Sequence, residues 1–131
     1  MKKTIYISGP ITAATDEQQA LNLRAFFKAE AKLQKLGFVV LNPAVLPVGL
    51  PYKSYMQIDV AMLQVCDCIY MLIGHACSPG AKGELAIAKS IKLEEFYESE
   101  GDDALIRSMA GYFVESNKAT SQDLSTEFVD K

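Results

Sequence analysis

The sequence predicts an α/β domain built on a central parallel sheet with helices on both faces. Apolar, β-branched runs alternate with longer segments of helical period in the order β-α-β-α-β-α-β-α. That alternation implies parallel strands joined by right-handed helical crossovers. The strand runs are also continuously apolar, most clearly Cys68-Ile-Tyr-Met-Leu-Ile73, as strands covered on both sides are.

Thr4 to Ser8 is alternating and β-branched, and the Gly9-Pro10 pair turns the chain at its end. Thr15 or Asp16 is placed to cap a helix reaching about Leu36, with an apolar stripe of Leu23, Phe26, Ala29, Leu33 and Leu36. Gly37 then suits the residue just past a helix end. Phe38 to Leu41 is a second buried strand closed by Asn42-Pro43, and a loop with Pro43, Pro47 and Pro51 runs to about Ser54. A second helix is predicted from Tyr55 to Cys66, a third strand from Cys68 to Ile73, and a third helix from Pro79 to about Ser90. Lys92 to Tyr97 is a weaker strand carried by Leu93 and Phe96. Asp102 or Asp103 would cap a last helix from about Ala104 to Glu115, and the stretch from Asn117 is polar enough to fray. The chain thus divides into one domain over 1–116 and a polar tail over 117–131.

Composition narrows the function. At 131 residues, half of them apolar, the chain suits one domain with a real core. Its net charge of −3 and lack of a basic cluster argue against duplex nucleic acid as a partner. No apolar run is long enough to span a membrane, and the apolar stretch after Lys2-Lys3 is too short for a signal peptide. A cytoplasmic protein is expected. Cys66, Cys68, Cys77 and the sole histidine, His75, form a pattern that resembles zinc ligands. Cys68 and His75 fall at opposite ends of the third strand, however, roughly 20 Å apart at about 3.3 Å per residue. One tetrahedral ion needs all its ligands within bonding distance. No metal or other cofactor is expected, and the cysteines read as free thiols, an odd count being a poor disulfide framework.

The residues that carry chemistry lie where the third strand ends. Ser78-Pro79-Gly80 has an N-cap residue, a first-turn proline and a glycine that lets a ligand approach the backbone. Such a helix start favours an anion or a hydroxyl. Glu84 shares a helix face with Ala81, Ile87 and Ala88, so it should point at the sheet, where a carboxylate needs a partner or a purpose. On the second helix, Tyr55, Asp59, Met62, Leu63 and Cys66 make one stripe, which puts Asp59 on the core side. Asp67 sits at a helix-to-strand junction, a common place for a turn-forming aspartate. Two buried acids on helices flanking one sheet suit glycosidic chemistry, in which their pKa values are pushed apart. The first turn, Tyr6-Ile-Ser8-Gly9-Pro10-Ile-Thr12, is neither a Walker loop nor a dinucleotide fingerprint.

Taken together, Ile5-Tyr6-Ile7-Ser8-Gly9-Pro10, Asn42-Pro43-Ala44, Asp59 with Asp67, and Ser78-x-Gly80-x-x-x-Glu84 resemble the nucleoside 2-deoxyribosyltransferase-like superfamily over roughly Thr4 to Tyr97. The match is to its small bacterial and phage branch, and is also similar to deoxynucleoside 5′-monophosphate N-glycosidases. The resemblance implies a flavodoxin-like three-layer sandwich with a five-stranded parallel sheet. It implies Glu84 as nucleophile, Asp59 as the group protonating the leaving base and Tyr6 as the residue orienting Glu84. Ser78 and Gly80 would bind the sugar's 5′ end, with Ser8, Gly9, Pro10, Asn42 and Asp67 as further substrate contacts. The substrate would be a 2′-deoxynucleoside or its 5′-monophosphate, and the protein a homo-oligomer. The monophosphate glycosidases carry an arginine where this chain has Thr12. Independently, Leu85 and Ala86 make the third helix apolar on its other side, which calls for cover by a partner subunit or by the last helix. The competing readings are a nucleotide-binding or sensor protein that uses the same pocket without turnover, and a scaffold or interaction protein whose buried acids are held by structural hydrogen bonds.

Overall fold

The computed structural model describes residues 2–110. Strands β1 (Thr4–Ser8), β2 (Val39–Leu41), β3 (Cys68–Met71) and β4 (Glu94–Tyr97) alternate with helices α1 (Asp16–Lys35), α2 (Tyr52–Gln64) and α3 (Pro79–Ser90). Residues 103–110 are helical and are labelled α4. All strand pairs are parallel, in the order β2-β1-β3-β4. This is a flavodoxin-like α/β fold. The sheet has four strands among the described residues. The end predicted for the last helix, the 1–116 boundary and the 117–131 tail lie outside the described residues.

Strand alternation sorts the core into two layers. Ile5, Ile7, Tyr70, Leu72 and Phe96 face α1 and α4, packing on Phe26, Ala29, Leu33, Leu105 and Met109. Tyr6, Ile69 and Met71 face α2 and α3, packing on Leu63, Cys66, Ala81 and Ala88. The chain leaves β1 toward β2 on one side and returns to β3 on the other. The strand order therefore reverses between β1 and β3, and a crevice opens at their C-terminal ends. No helix among the described residues is long and apolar enough to cross a membrane.

Three local expectations change. The second strand is a three-residue edge with Val39 44% exposed, because only β1 pairs with it. The second helix begins at Tyr52 rather than Tyr55, behind Pro51, which makes no side-chain cap. The sequence there lacks the Ser, Thr, Asp or Asn that marks a helix start. The third strand ends at Met71 because its partner β4 ends at the paired Tyr97. Ile73 is 66% exposed and its N–H donates to Glu98 Oε1 at 2.8 Å. The α1 start is as read, Thr15 Oγ1 accepting from the Gln18 N–H at 3.1 Å, and Gly37 closes that helix at φ 105°. Finally, α4 packs on the face opposite α3, so it does not cover α3's outer side, where Ala86 is exposed.

Candidate active site

The site is assembled from one strand and two helices. In β1, Ile5 and Ile7 point into one layer, so Tyr6 and Ser8 share the other face, toward α2 and α3. Helix α3 opens with Ser78 Oγ accepting from the Ala81 N–H at 3.2 Å, with Pro79 in the first turn. That start sets the phase of the helix: Ala81, Glu84 and Ala88 are its buried residues and lie against the sheet. Glu84 is only 5% exposed. Its Oε2 accepts from the Tyr6 hydroxyl at 2.7 Å, and its Oε1 accepts from Ser8 Oγ at 2.6 Å. On α2, Asp59 is 8% exposed, and its Oδ1 is buried without a hydrogen-bond partner.

Asp59 and Glu84 line the same cavity, of about 570 Å³, at the C-terminal ends of β1 and β3. Gly9, Pro10 and Thr12 form one wall and Ser78, Pro79 and Gly80 another. Leu23, Phe26, Leu46, Tyr55 and Met56 add apolar surface. The size and the mixture of apolar walls with a few polar groups suit a small organic ligand. Gly9 is required by packing, since a Cβ there would stand 2.8 Å from the Leu72 Cβ. At Gly80, by contrast, a Cβ would meet nothing within 4 Å, so the helix end is open.

The electrostatics follow from burial. It raises Glu84 above the ordinary carboxylate range, with neighbouring Asp59 adding to the rise, while the Ser8 and Tyr6 hydroxyls act the other way. Burial raises Asp59 as well. Tyr6 is pushed above its usual value by burial and then by the charges of Glu84 and Asp59, so its phenol stays protonated and donates. Two adjacent carboxyls with raised pKa values share a proton near neutrality. A carboxylate that accepts two O–H bonds is favoured as the anion, and a buried oxygen without a partner is better carried on a neutral acid. The two hydroxyls therefore favour the anion on Glu84, while the contact between the two acids works the other way, raising Glu84 and lowering Asp59.

Other predicted site residues lie elsewhere. Asp67 belongs to the opposite end of the sheet: it is exposed, its Oδ2 accepts from the Thr4 N–H at 2.9 Å, and its backbone extends the β1 and β4 ladders. An aspartate just before β3 cannot reach a crevice beyond the C-terminal end of that strand, so the expectation of a substrate contact is corrected. Asn42 shapes the cavity from behind, its Oδ1 accepting from the Ala44 N–H and its Nδ2 donating to Glu30, both at 2.9 Å. Ser8 bonds to Glu84 and is absent from the cavity wall. Among the described residues no three His, Cys, Asp or Glu side chains gather as metal ligands. Cys66 and Cys68 are buried free thiols pushed up to about 12, chiefly by burial, and Cys77 is exposed at the cavity.

Two contacts escaped the sequence reading. The Ser8–Glu84 bond was available from the two-residue spacing of Tyr6 and Ser8, which puts both on one face. The Tyr55 hydroxyl donates to the Pro47 carbonyl and accepts from the Leu50 N–H, tying the proline-rich loop to α2. A loop with several prolines has few N–H groups of its own, which is the only signal that a side chain must hold it.

A parallel four-stranded α/β scaffold with two buried acids in its switch-point crevice is the class that these features define. The chain belongs to the family described as a domain of unknown function, DUF4406, whose model matches residues 3–97. No curated protein matches its sequence. Among solved structures it is similar to a 2-desoxiribosyltransferase from Leishmania mexicana, with a TM-score of 0.54 and 21% identity over 72% of this chain. The match spans 63% of that protein's length. At this identity the likeness bears on the fold.

Proposed function

We propose that the protein cleaves or transfers the N-glycosidic bond of a 2′-deoxynucleoside through a covalent glycosyl intermediate on Glu84. The observation that carries the reading is the pair of buried carboxyls on one cavity, Glu84 held by two hydroxyls and Asp59 with an unpartnered oxygen. Purely structural acids are paired with cations or fully hydrogen-bonded, whereas Asp59 keeps a bare oxygen.

In the first step Glu84 attacks the anomeric carbon as the carbon–nitrogen bond breaks. The bonding electrons leave with the base, which takes the proton from Asp59. In the second step water, or the nitrogen of another base, attacks the same carbon. Glu84 departs as a carboxylate and the attacking group's proton returns to Asp59. A deoxyribose suits this course, because without a 2′-hydroxyl its oxocarbenium ion forms readily and one carboxylate can trap it.

The cavity favours the nucleoside over its 5′-monophosphate. The charged side chains of its wall are Asp59 and Glu84, with no lysine or arginine among the described residues that line it. At the α3 start, Pro79 has no N–H and the Ala81 N–H is taken by Ser78, which leaves the Gly80 N–H and the Ser78 O–H as donors. Neutral donors beside two acids suit a hydroxyl, whereas a phosphate calls for charge-assisted partners. A homo-oligomer is part of this reading; on α3 Ala86 is exposed, whereas Leu85 packs against the core.

The test is free-base release, followed by chromatography, from deoxynucleosides and their 5′-monophosphates, with and without a second base as acceptor. Release from deoxynucleosides, faster than from the monophosphates, is expected. Folded protein that binds a nucleoside but releases no base from either class would overturn the enzyme and leave the sensor reading in its place.

A further inference from the structure

Ser8 is a hydroxyl in a place where a strand would otherwise carry an apolar side chain. It is fully buried, and it is the last residue of β1, in register with Met71. Its carbonyl accepts from the Leu72 N–H at 2.8 Å, so the sheet ladder fixes its backbone. Its Oγ lies 2.6 Å from Glu84 Oε1 and forms no part of the cavity wall. The hydroxyl therefore faces Glu84 rather than the cavity.

The groups facing Glu84 are few. From β1 come the Tyr6 and Ser8 hydroxyls, and from α2 comes Asp59, which opposes a charge on Glu84. No cation lines the cavity among the described residues. Against the Asp59 contact, which raises Glu84, the groups that favour its anion are neutral donors. Tyr6 accounts for one oxygen of Glu84 and Ser8 for the other.

We propose that Ser8 is a positioning residue that, by hydrogen-bonding the Glu84 carboxylate, draws the shared proton toward Asp59 and, together with Tyr6, fixes both Glu84 oxygens. The proposal rests on the reading of Glu84 as nucleophile and Asp59 as acid. If the proton passed from Asp59 to Glu84, one exchange would remove both the nucleophile and the acid. A hydrogen bond to the charged form lowers a carboxyl pKa, and one pKa unit is a tenfold change in the ionised-to-neutral ratio.

The experiment is a carboxyl-carbon NMR titration of the ligand-free full chain, labelled at Glu and Asp and assigned with Glu84→Gln and Asp59→Asn. It compares wild type with Ser8→Ala and with Ser8→Cys, which keeps the size but donates more weakly. In Ser8→Ala the Glu84 midpoint should rise by about one pH unit while the Asp59 midpoint falls, with Ser8→Cys in between. The rate of base release should drop about tenfold with KM little changed, and its acid limb should move up with the Glu84 midpoint. An unchanged Glu84 midpoint in Ser8→Ala would overturn the proposal. The titration needs no substrate, so it decides the role of Ser8 even if base release fails, and base release decides the enzyme even if the midpoint stays.

Discussion

The two ends of the sheet each carry a pair of acids, and the pairs are treated in opposite ways. At the N-terminal end, Asp67 accepts a backbone N–H, and Glu94 accepts from Lys3 Nζ at 3.3 Å and Ser108 Oγ at 3.2 Å. Both residues are exposed. At the C-terminal end, Asp59 and Glu84 are buried on one cavity, with hydroxyl partners for one and a bare oxygen for the other. The first pair joins strands and termini in water, where charges cost little. The second raises the energy of the folded state, since burial makes both groups harder to ionise. Strain of this kind is ordinary at sites that do chemistry.

The comparison is sharpened most by removing the proposed nucleophile. Glu84→Gln should lower base release by on the order of 10³-fold or more while the fold is kept, read by chromatography and circular dichroism. Asp59→Asn should cost about 10²–10⁴-fold with ordinary bases. It should cost far less with a leaving group that departs without a proton, such as a nitrophenyl deoxyriboside. An equal loss on both substrates would assign Asp59 a role other than proton donor.

The same contrast governs stability. The folded protein binds more protons than the unfolded chain between the ordinary carboxylate pKa, near 4, and the raised folded values. Stability contributed by this end therefore falls as pH rises through that window. Glu84→Gln removes that burden and keeps an oxygen and an amide for the two hydroxyls. Its melting temperature should exceed that of wild type at pH 8 by several degrees, for a gain on the order of 1–2 kcal/mol, and the advantage should vanish near pH 4. A melting temperature lower than wild type at pH 8 would mean that the ionised carboxylate holds the site together. The smallest effect belongs to the other end: Asp67→Ala loses the side-chain acceptor of the Thr4 N–H, costs about 0.5–1.5 kcal/mol and leaves base release unchanged.

The sequence was most legible where one periodicity dominated. Thr4–Ser8, the α1 stripe and the capped start at Ser78 could all be read because alternation, helical spacing and cap chemistry agreed there. The start of α2 was hidden because Pro51 supplies no cap side chain. The edge position of β2 was hidden because strand order is a tertiary property, and Phe38 to Leu41 looks the same at an edge as in the middle. Glu84 and Asp59 were visible as acids on apolar stripes. Asp67 was misplaced for a related reason: spacing along the chain does not say which end of the sheet a residue serves. A strand takes Cys68 from one end to Met71 at the other, and Asp67 lies before it.

The most direct test of the central claim is to stop the reaction midway. The protein is mixed with a deoxynucleoside, quenched in acid, digested and examined by mass spectrometry. One deoxyribosyl group attached to the peptide that contains Glu84, and absent in Glu84→Gln, is the predicted result. Base release that continues in Glu84→Gln, or a sugar attached to any other residue, would contradict the account.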